Sequence, residues 1–320
     1  MPIRRHALRL AVFAAMLGGT PALAQDKPED KPRDKPQDKP QDKPQDKLKV
    51  VATFSILGDL VSNVGGDRVE VAALVGPNSD SHVFSPTPAD AKKLAGAKVV
   101  FVNGLGYEGW IARLVKASGT KAQTLVVSTG IKTRKMEDDH HPGQMVTDPH
   151  AWQSITNTKV YVANIRDGLS KADPPGKSAY DANATAYLAK LDALEQEVKA
   201  AIEKIPTGHR RIITTHEAFG YFGGAYGMEF ISPEGVSTDA QPSAKDMAKI
   251  IGQIRKQKVP AVFMENITDP RLMQQIAKET GAKVGGTLYS DALSDPGGPA
   301  GSYIDMMRSN VRELGKALAP

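Results

Sequence analysis

From residue 48 onward the chain switches repeatedly between two spacings of apolar side chains. Short β-branched runs read as strands: "LKVVATF" leading into a helix, "VEVAALV" (69–75), "KVVFVN" (98–103) and "TLVVST" (124–129). Between them, "PADAKKLAGA" (88–97) has helical spacing, and another helix is expected near 157–170. The alternation resumes at residue 210. "RRIITT", "AVFMEN" and "VGGTLYS" read as strands, and "SAKDMAKIIGQIRKQ", "PRLMQQIAKETG" and "SYIDMMRSNVRELGKAL" as helices. Strands alternating with helices predict an α/β fold with parallel sheets.

Residues 177–205 interrupt this rhythm. They contain no internal proline or glycine, and Tyr187, Leu188, Leu191, Leu194, Val198 and Ile202 recur at steps of three and four. That spacing predicts one long amphipathic helix, stopped by Pro206 and Gly208. At 1.5 Å per residue it would run roughly 40 Å, longer than a small domain is wide. It reads as a stiff backbone joining two lobes. The expected organisation is therefore residues 48–176 as one α/β lobe, 177–206 as the linking helix and 207–320 as the second α/β lobe.

The first 47 residues obey neither pattern. A basic start, the short apolar run "LAVFAAMLGG" and Ala22–Ala24 as a small-x-small cleavage site predict a secretory signal peptide over 1–24. Residues 25–47 carry a repeat of Asp, Lys and Pro with no side chain able to join a core, so an extended, disordered spacer is expected. No later run is long and apolar enough to span a bilayer, and a soluble periplasmic product is expected.

Charge and cysteine content narrow the chemistry. Removing Arg4, Arg5 and Arg9 with the leader takes the net charge from +5 to about +2. The basic residues are dispersed without interleaved aromatics, so no nucleic-acid partner is expected. There is no cysteine. Disulfides, thiolate ligands and lipid attachment at a cysteine are thereby set aside, and any bound metal must use nitrogen and oxygen.

Several motifs fail on inspection. "GLGYEG" (104–109) matches a dinucleotide glycine pattern but lacks the acidic residue about 20 positions on. "GKS" (176–178) lacks the first P-loop glycine, since position 171 is Lys171. His216-Glu217 has no second histidine four residues later.

What remains is a constellation. His82 follows the strand ending at Val75, His150 lies in "TDPHAW", His216 stands at a strand tip and Asp291 lies just past a strand. Alone, each histidine reads more readily as a packed side chain than a ligand, and Asp291 as a helix N-cap. Together they share the carboxyl edge of parallel strands, where ligands bind. Two precede the long helix and two follow it, so they can converge only between the lobes. Three imidazoles and a carboxylate suit tetrahedral Zn²⁺ and leave no position for an activated water.

"HVFSPTPAD", "DPHAW", "HEAFGYF" and "LYSDALS", with "NGLGYEGW", resemble the metal-loop segments of the periplasmic solute-binding proteins of zinc and manganese ABC importers. The resemblance spans about residues 48–318. It implies two α/β lobes, each with a mostly parallel four-stranded sheet, joined by one rigid helix, with metal between them. It implies His82, His150, His216 and Asp291 as the metal ligands. Manganese members of that family carry a carboxylate at the third ligand position. This chain has His216 there, so Zn²⁺ is the expected transported ion, with manganese or another divalent metal as the alternative. The expected partner is an ABC permease membrane subunit, with a monomeric carrier and no catalysis. A zinc-dependent hydrolase is the rival of another class. His140 and His141, beside Glu137, Asp138 and Asp139, read as part of a solvated loop, or as an accessory zinc-collecting or docking surface for a periplasmic zinc chaperone. Glu265 is a further candidate, as a supporting group or alternative ligand.

Overall fold

The computed structural model describes residues 46–138, 143–235, 238 and 243–319. The leader, almost all of the Asp-Lys-Pro repeat, His140 and His141 lie outside the described residues.

In the first half β1 (Leu48–Phe54), β2 (Val69–Val75), β3 (Val99–Val102) and β4 (Gln123–Val126) pair in the order β2-β1-β3-β4. Every pairing is parallel. Helices α1 (Ser55–Gly65), α2 (Pro88–Gly96) and α3 (Ile111–Ser118) make the crossovers. An antiparallel hairpin of β5 (Lys135–Glu137) and β6 (Met145–Thr147) precedes α4 (Ile155–Ala172). Then comes α5 (Lys177–Glu203), a single helix of 27 residues that fulfils the long amphipathic pattern.

The second half contains β7 (Arg211–Ile213), α6 (Gly220–Tyr226), β8 (Glu229–Ile231), α7 (Ala244–Gln257), β9 (Ala261–Glu265), α8 (Arg271–Thr280), β10 (Lys283–Leu288) and α9 (Tyr303–Leu318). Its sheet is ordered β10-β9-β7-β8 and is parallel throughout. The two four-stranded lobes and the long helix are those expected from the sequence.

Local chemistry explains where elements begin and end. Thr87 caps α2, its hydroxyl taking the Asp90 amide while the Asp90 carboxylate takes the Thr87 amide. The "TPAD" stretch thus sets the helix start, with Pro88 in the first turn, where its missing N–H costs nothing. Strand β7 is shorter than its β-rich sequence suggests. Glu265 Oε1 accepts the amides of Thr215 and His216 at 2.8 and 3.0 Å, which draws both residues out of the ladder.

The lobes share one core. Side chains from β1, β3, α1, α4 and α5 pack in a single cluster with Ile212, Ala261, Phe263 and Leu288 of the second sheet and Tyr303, Met306 and Met307 of α9. The strand period of two divides the second sheet cleanly. Ile212, Ala261 and Phe263 face the shared core, whereas Ile213 and Val262 face a separate cluster with Ile250, Ile254, Met273 and Ile276 of α7 and α8. Polar ties reinforce the join: the Tyr303 hydroxyl donates to the Trp152 carbonyl at 2.8 Å, and Arg308 of α9 pairs with Glu197 of α5 at 2.8 Å.

Leu194 of α5 is fully buried in this core. Leu194→Ala should lower the unfolding free energy by ~2–5 kcal/mol in urea titrations. Lys190→Ala, on the exposed face of the same helix, should change it little.

Candidate metal centre

Strand ends deliver the donors. His82 lies on the loop after β2. Its amide donates to Asp80 Oδ1 at 2.8 Å, and Trp110 Nε1 fixes the adjacent Ser81 carbonyl at 3.0 Å. His216 lies three residues beyond β7, and Asp291 three beyond β10. Asp291 starts no helix, so the N-cap alternative does not apply. His150 follows the β5–β6 hairpin and opens a short 3₁₀ turn over Ala151–Gln153.

All four residues converge between the lobes. One nitrogen or oxygen from each of His82, His150, His216 and Asp291 lies within 4.8 Å of the others. Asp291 Oδ2 is 3.0 Å from His82 Nε2, 3.2 Å from His216 Nε2 and 3.7 Å from His150 Nε2. His82 Nε2 and His150 Nε2 are 3.3 Å apart. A tetrahedron of metal bonds near 2.0–2.1 Å has edges of about 3.3–3.4 Å, and these four separations lie close to that spacing. His150, His216 and Asp291 have no exposed surface. Asp291 Oδ1 is buried without a hydrogen-bond partner, an orphan that a cation would satisfy.

The opposite side of two imidazoles is held by carboxylates. Asp148 Oδ1 lies 3.0 Å from His150 Nδ1 and also takes the His150 amide at 3.0 Å. Its other oxygen accepts from Arg134 at 2.8 Å. Glu265 Oε2 lies 2.6 Å from His216 Nδ1, a close ion-pair contact outside the angles of an aligned hydrogen bond. Glu265 therefore stands behind His216, away from the Nε2 cluster, and serves as a support. With an ion on the Nε2 side, each carboxylate would favour the proton on Nδ1 and leave the Nε2 lone pair for the metal.

Further residues tie the segments together. Trp152 Nε1 and Gln153 Nε2 both donate to the Ser290 carbonyl, at 2.9 and 2.7 Å, locking the His150 turn to the residue before Asp291. Asn103 Nδ2 donates to the Pro149 carbonyl at 2.9 Å. Buried Glu108 receives the Thr53 hydroxyl and the Asn103 and Gly104 amides. Gly104 has φ +82°, and a Cβ there would lie 2.5 Å from Val126 Cγ1. The glycines of "NGLGYEGW" thus shape a brace for the His150 segment. Sequence reasoning missed Asp148 and Arg134. The signal for Asp148 was its place two residues before His150, within reach of that residue's amide and ring.

Electrostatics follow from burial and neighbours. Burial opposes charge on His150, yet Asp291 and Asp148 outweigh it and push the imidazole up to about 9. For His216 burial is again outweighed, by Glu265 and Asp291, and the shift is upward. Burial would raise Asp291, but the His150 and His216 charges hold it well below the usual carboxylate range. Charged His150 steadies the metal-free fold fully below its unfolded value of 6.5, and that contribution is lost as pH rises through about 9.

Two parallel lobes on one core, with a nitrogen-and-oxygen pocket sunk between them, define a two-lobed binding protein whose solute is a divalent metal ion. A family model described as zinc-uptake complex component A, periplasmic, matches residues 50–317, and the chain belongs to that family. It is 32% identical to the manganese ABC transporter substrate-binding lipoprotein PsaA of Streptococcus pneumoniae, covering 85% of this chain and 89% of the relative. It is 32% identical to the iron-binding protein YfeA of Yersinia pestis, over 98% of this chain and 96% of the relative. The periplasmic zinc-binding protein TroA of Treponema pallidum superposes with a TM-score of 0.80 at 28% identity, over 86% of this chain and 100% of that one. The protein is a metal-binding substrate-binding component of an ABC importer.

Two outcomes are expected. Glu265→Gln should weaken metal binding about 10–100-fold in chelator competition while leaving the fold intact. At pH 7.5, metal uptake should expel protons held by His150 and His216. Calorimetry in buffers of different ionisation enthalpy reads that release directly, and none would mean both rings are neutral beforehand.

Proposed function

We propose that the protein captures Zn²⁺ in the periplasm through His82, His150, His216 and Asp291 and hands it to the membrane permease of an ABC importer. The observation carrying this reading is the donor geometry: three imidazole nitrogens and one carboxylate oxygen lie within 4.8 Å of one another, with four of their six separations at 3.0–3.7 Å. Imidazole at position 216, in place of a second carboxylate, favours zinc over manganese. Four protein donors at tetrahedral spacing leave no site for an activated water, which disfavours a hydrolase. Manganese or iron is the second reading, favoured by the names of PsaA and YfeA.

Location follows from the basic leader, its apolar run and the Ala22–Ala24 cleavage pattern. Among the described residues, no helix is long and apolar enough to cross a membrane. A nanomolar site is worth about 12 kcal/mol, so unaided release would be slow. Docking on the permease must therefore disturb the donor set. The His150 segment, hung between the hairpin and Ser290, is the part proposed to give way.

Protein purified from rich medium should carry about one zinc per chain by mass spectrometry. His216→Ala and Asp291→Ala should each abolish stoichiometric retention, and Zn²⁺ should displace Mn²⁺ in competition. Preferential retention of manganese or iron would overturn the zinc assignment and leave the carrier role in place.

A further inference from the structure

One acidic group near the cleft has no task in holding the donors. Glu234, on the loop after β8, is only 6% exposed. Its amide donates to the Thr215 carbonyl at 3.1 Å, pinning it beside the chain that leads into His216. Among the described residues its carboxylate has no hydrogen-bond or ion-pair partner. It opens instead onto a cavity of about 540 Å³ that Asp80, Thr238, Thr268, Asp269 and Arg271 also line.

The charges around this cavity are unequally answered. Asp269 is engaged by Arg271 Nε at 2.7 Å. Among the described residues Asp80 has only neutral donors, the His82 amide and the Thr238 hydroxyl. Glu234 has none. Burial pushes the Glu234 carboxyl up to about 7, with His216 pulling the other way and Glu265 and Asp80 adding to the rise. A carboxylate that reaches solvent only through the cavity and has no donor is partly desolvated, and a cation beside it offsets that loss.

We propose that Glu234 and Asp80 form an outer cation-collecting site, where a hydrated divalent ion is held before it sheds water and passes to His82 and its partners. This rests on the carrier reading above. Two carboxylates on a cavity of about 540 Å³ suit an ion that keeps most of its water, whereas the imidazole cluster suits a stripped one. The two acids come from opposite lobes and lie on either flank of the donor set, Asp80 two residues before His82 and Glu234 against Thr215. Such a station would act on the rate of capture, since negative charge at the mouth raises local cation concentration.

The test is stopped-flow binding of Zn²⁺ to the mature protein, read by tryptophan fluorescence; the Trp152 ring lies 5.4 Å from that of His150. Glu234→Gln should slow association about threefold to tenfold at low ionic strength and leave dissociation unchanged. The gap should close in high salt, and Glu234→Asp should restore most of the rate. Association unchanged in Glu234→Gln, or a change confined to dissociation, overturns the proposal. If Glu234→Gln fails to fold, the unmodified protein decides: an association rate indifferent to salt would also overturn it. A parent protein that binds no Zn²⁺ would sink the zinc reading and this inference together. Rapid capture unaffected by the substitution would sink this inference alone.

Discussion

Asp291 Oδ2 faces three imidazole nitrogens at 3.0, 3.2 and 3.7 Å in a place solvent does not reach. Lone pairs crowded around one point in a poorly polarisable interior are tolerable only with positive charge among them. Protons supply it in the metal-free protein, and a divalent ion supplies it better, because one ion satisfies every donor at once. The arrangement of strand ends, loops and carboxylates behind the rings follows from keeping those donors aimed at that point.

The charge balance is local. Asp291 and Glu265 together match a 2+ ion, while the charge of Asp148 is answered by Arg134. Nothing needs to be neutralised from solvent, and this makes full burial sustainable. It also explains why the supporting acids differ in their surroundings. Glu265 spends one oxygen on the amides of Thr215 and His216 and so shapes the strand end as well as the ring. Asp148 does the same for the amide and ring of His150.

Much of this was legible in the sequence because it depends on periodicity and position. The long helix was plain from Tyr187 to Ile202, and the convergence of His82, His216 and Asp291 from their place past parallel strand ends, whereas His150 arrives from an antiparallel hairpin instead. The exact end of β7 was not legible, since Thr215 is as β-prone as Ile213 and only a carboxylate 50 residues away draws it from the ladder. The glycines of "NGLGYEGW" were read as no nucleotide site, and the work of Gly104 in the brace depends on Asn103 reaching Pro149, a contact that no local pattern announces. Glu234 had no sequence signal at all. Its significance lies in what it fails to touch.

The apolar cluster that runs unbroken from β1 through α5 to α9 has a consequence for discrimination. Because both sheets are cemented to the same interior, the walls of the pocket resist spreading, and any rearrangement falls to the loops that carry the donors. Calcium asks for six to eight oxygens at 2.3–2.6 Å, and magnesium for a near-ideal octahedron that retains water. Four nitrogen and oxygen donors held within 4.8 Å of one another offer neither the oxygen count that calcium takes nor the water-retaining octahedron that magnesium takes.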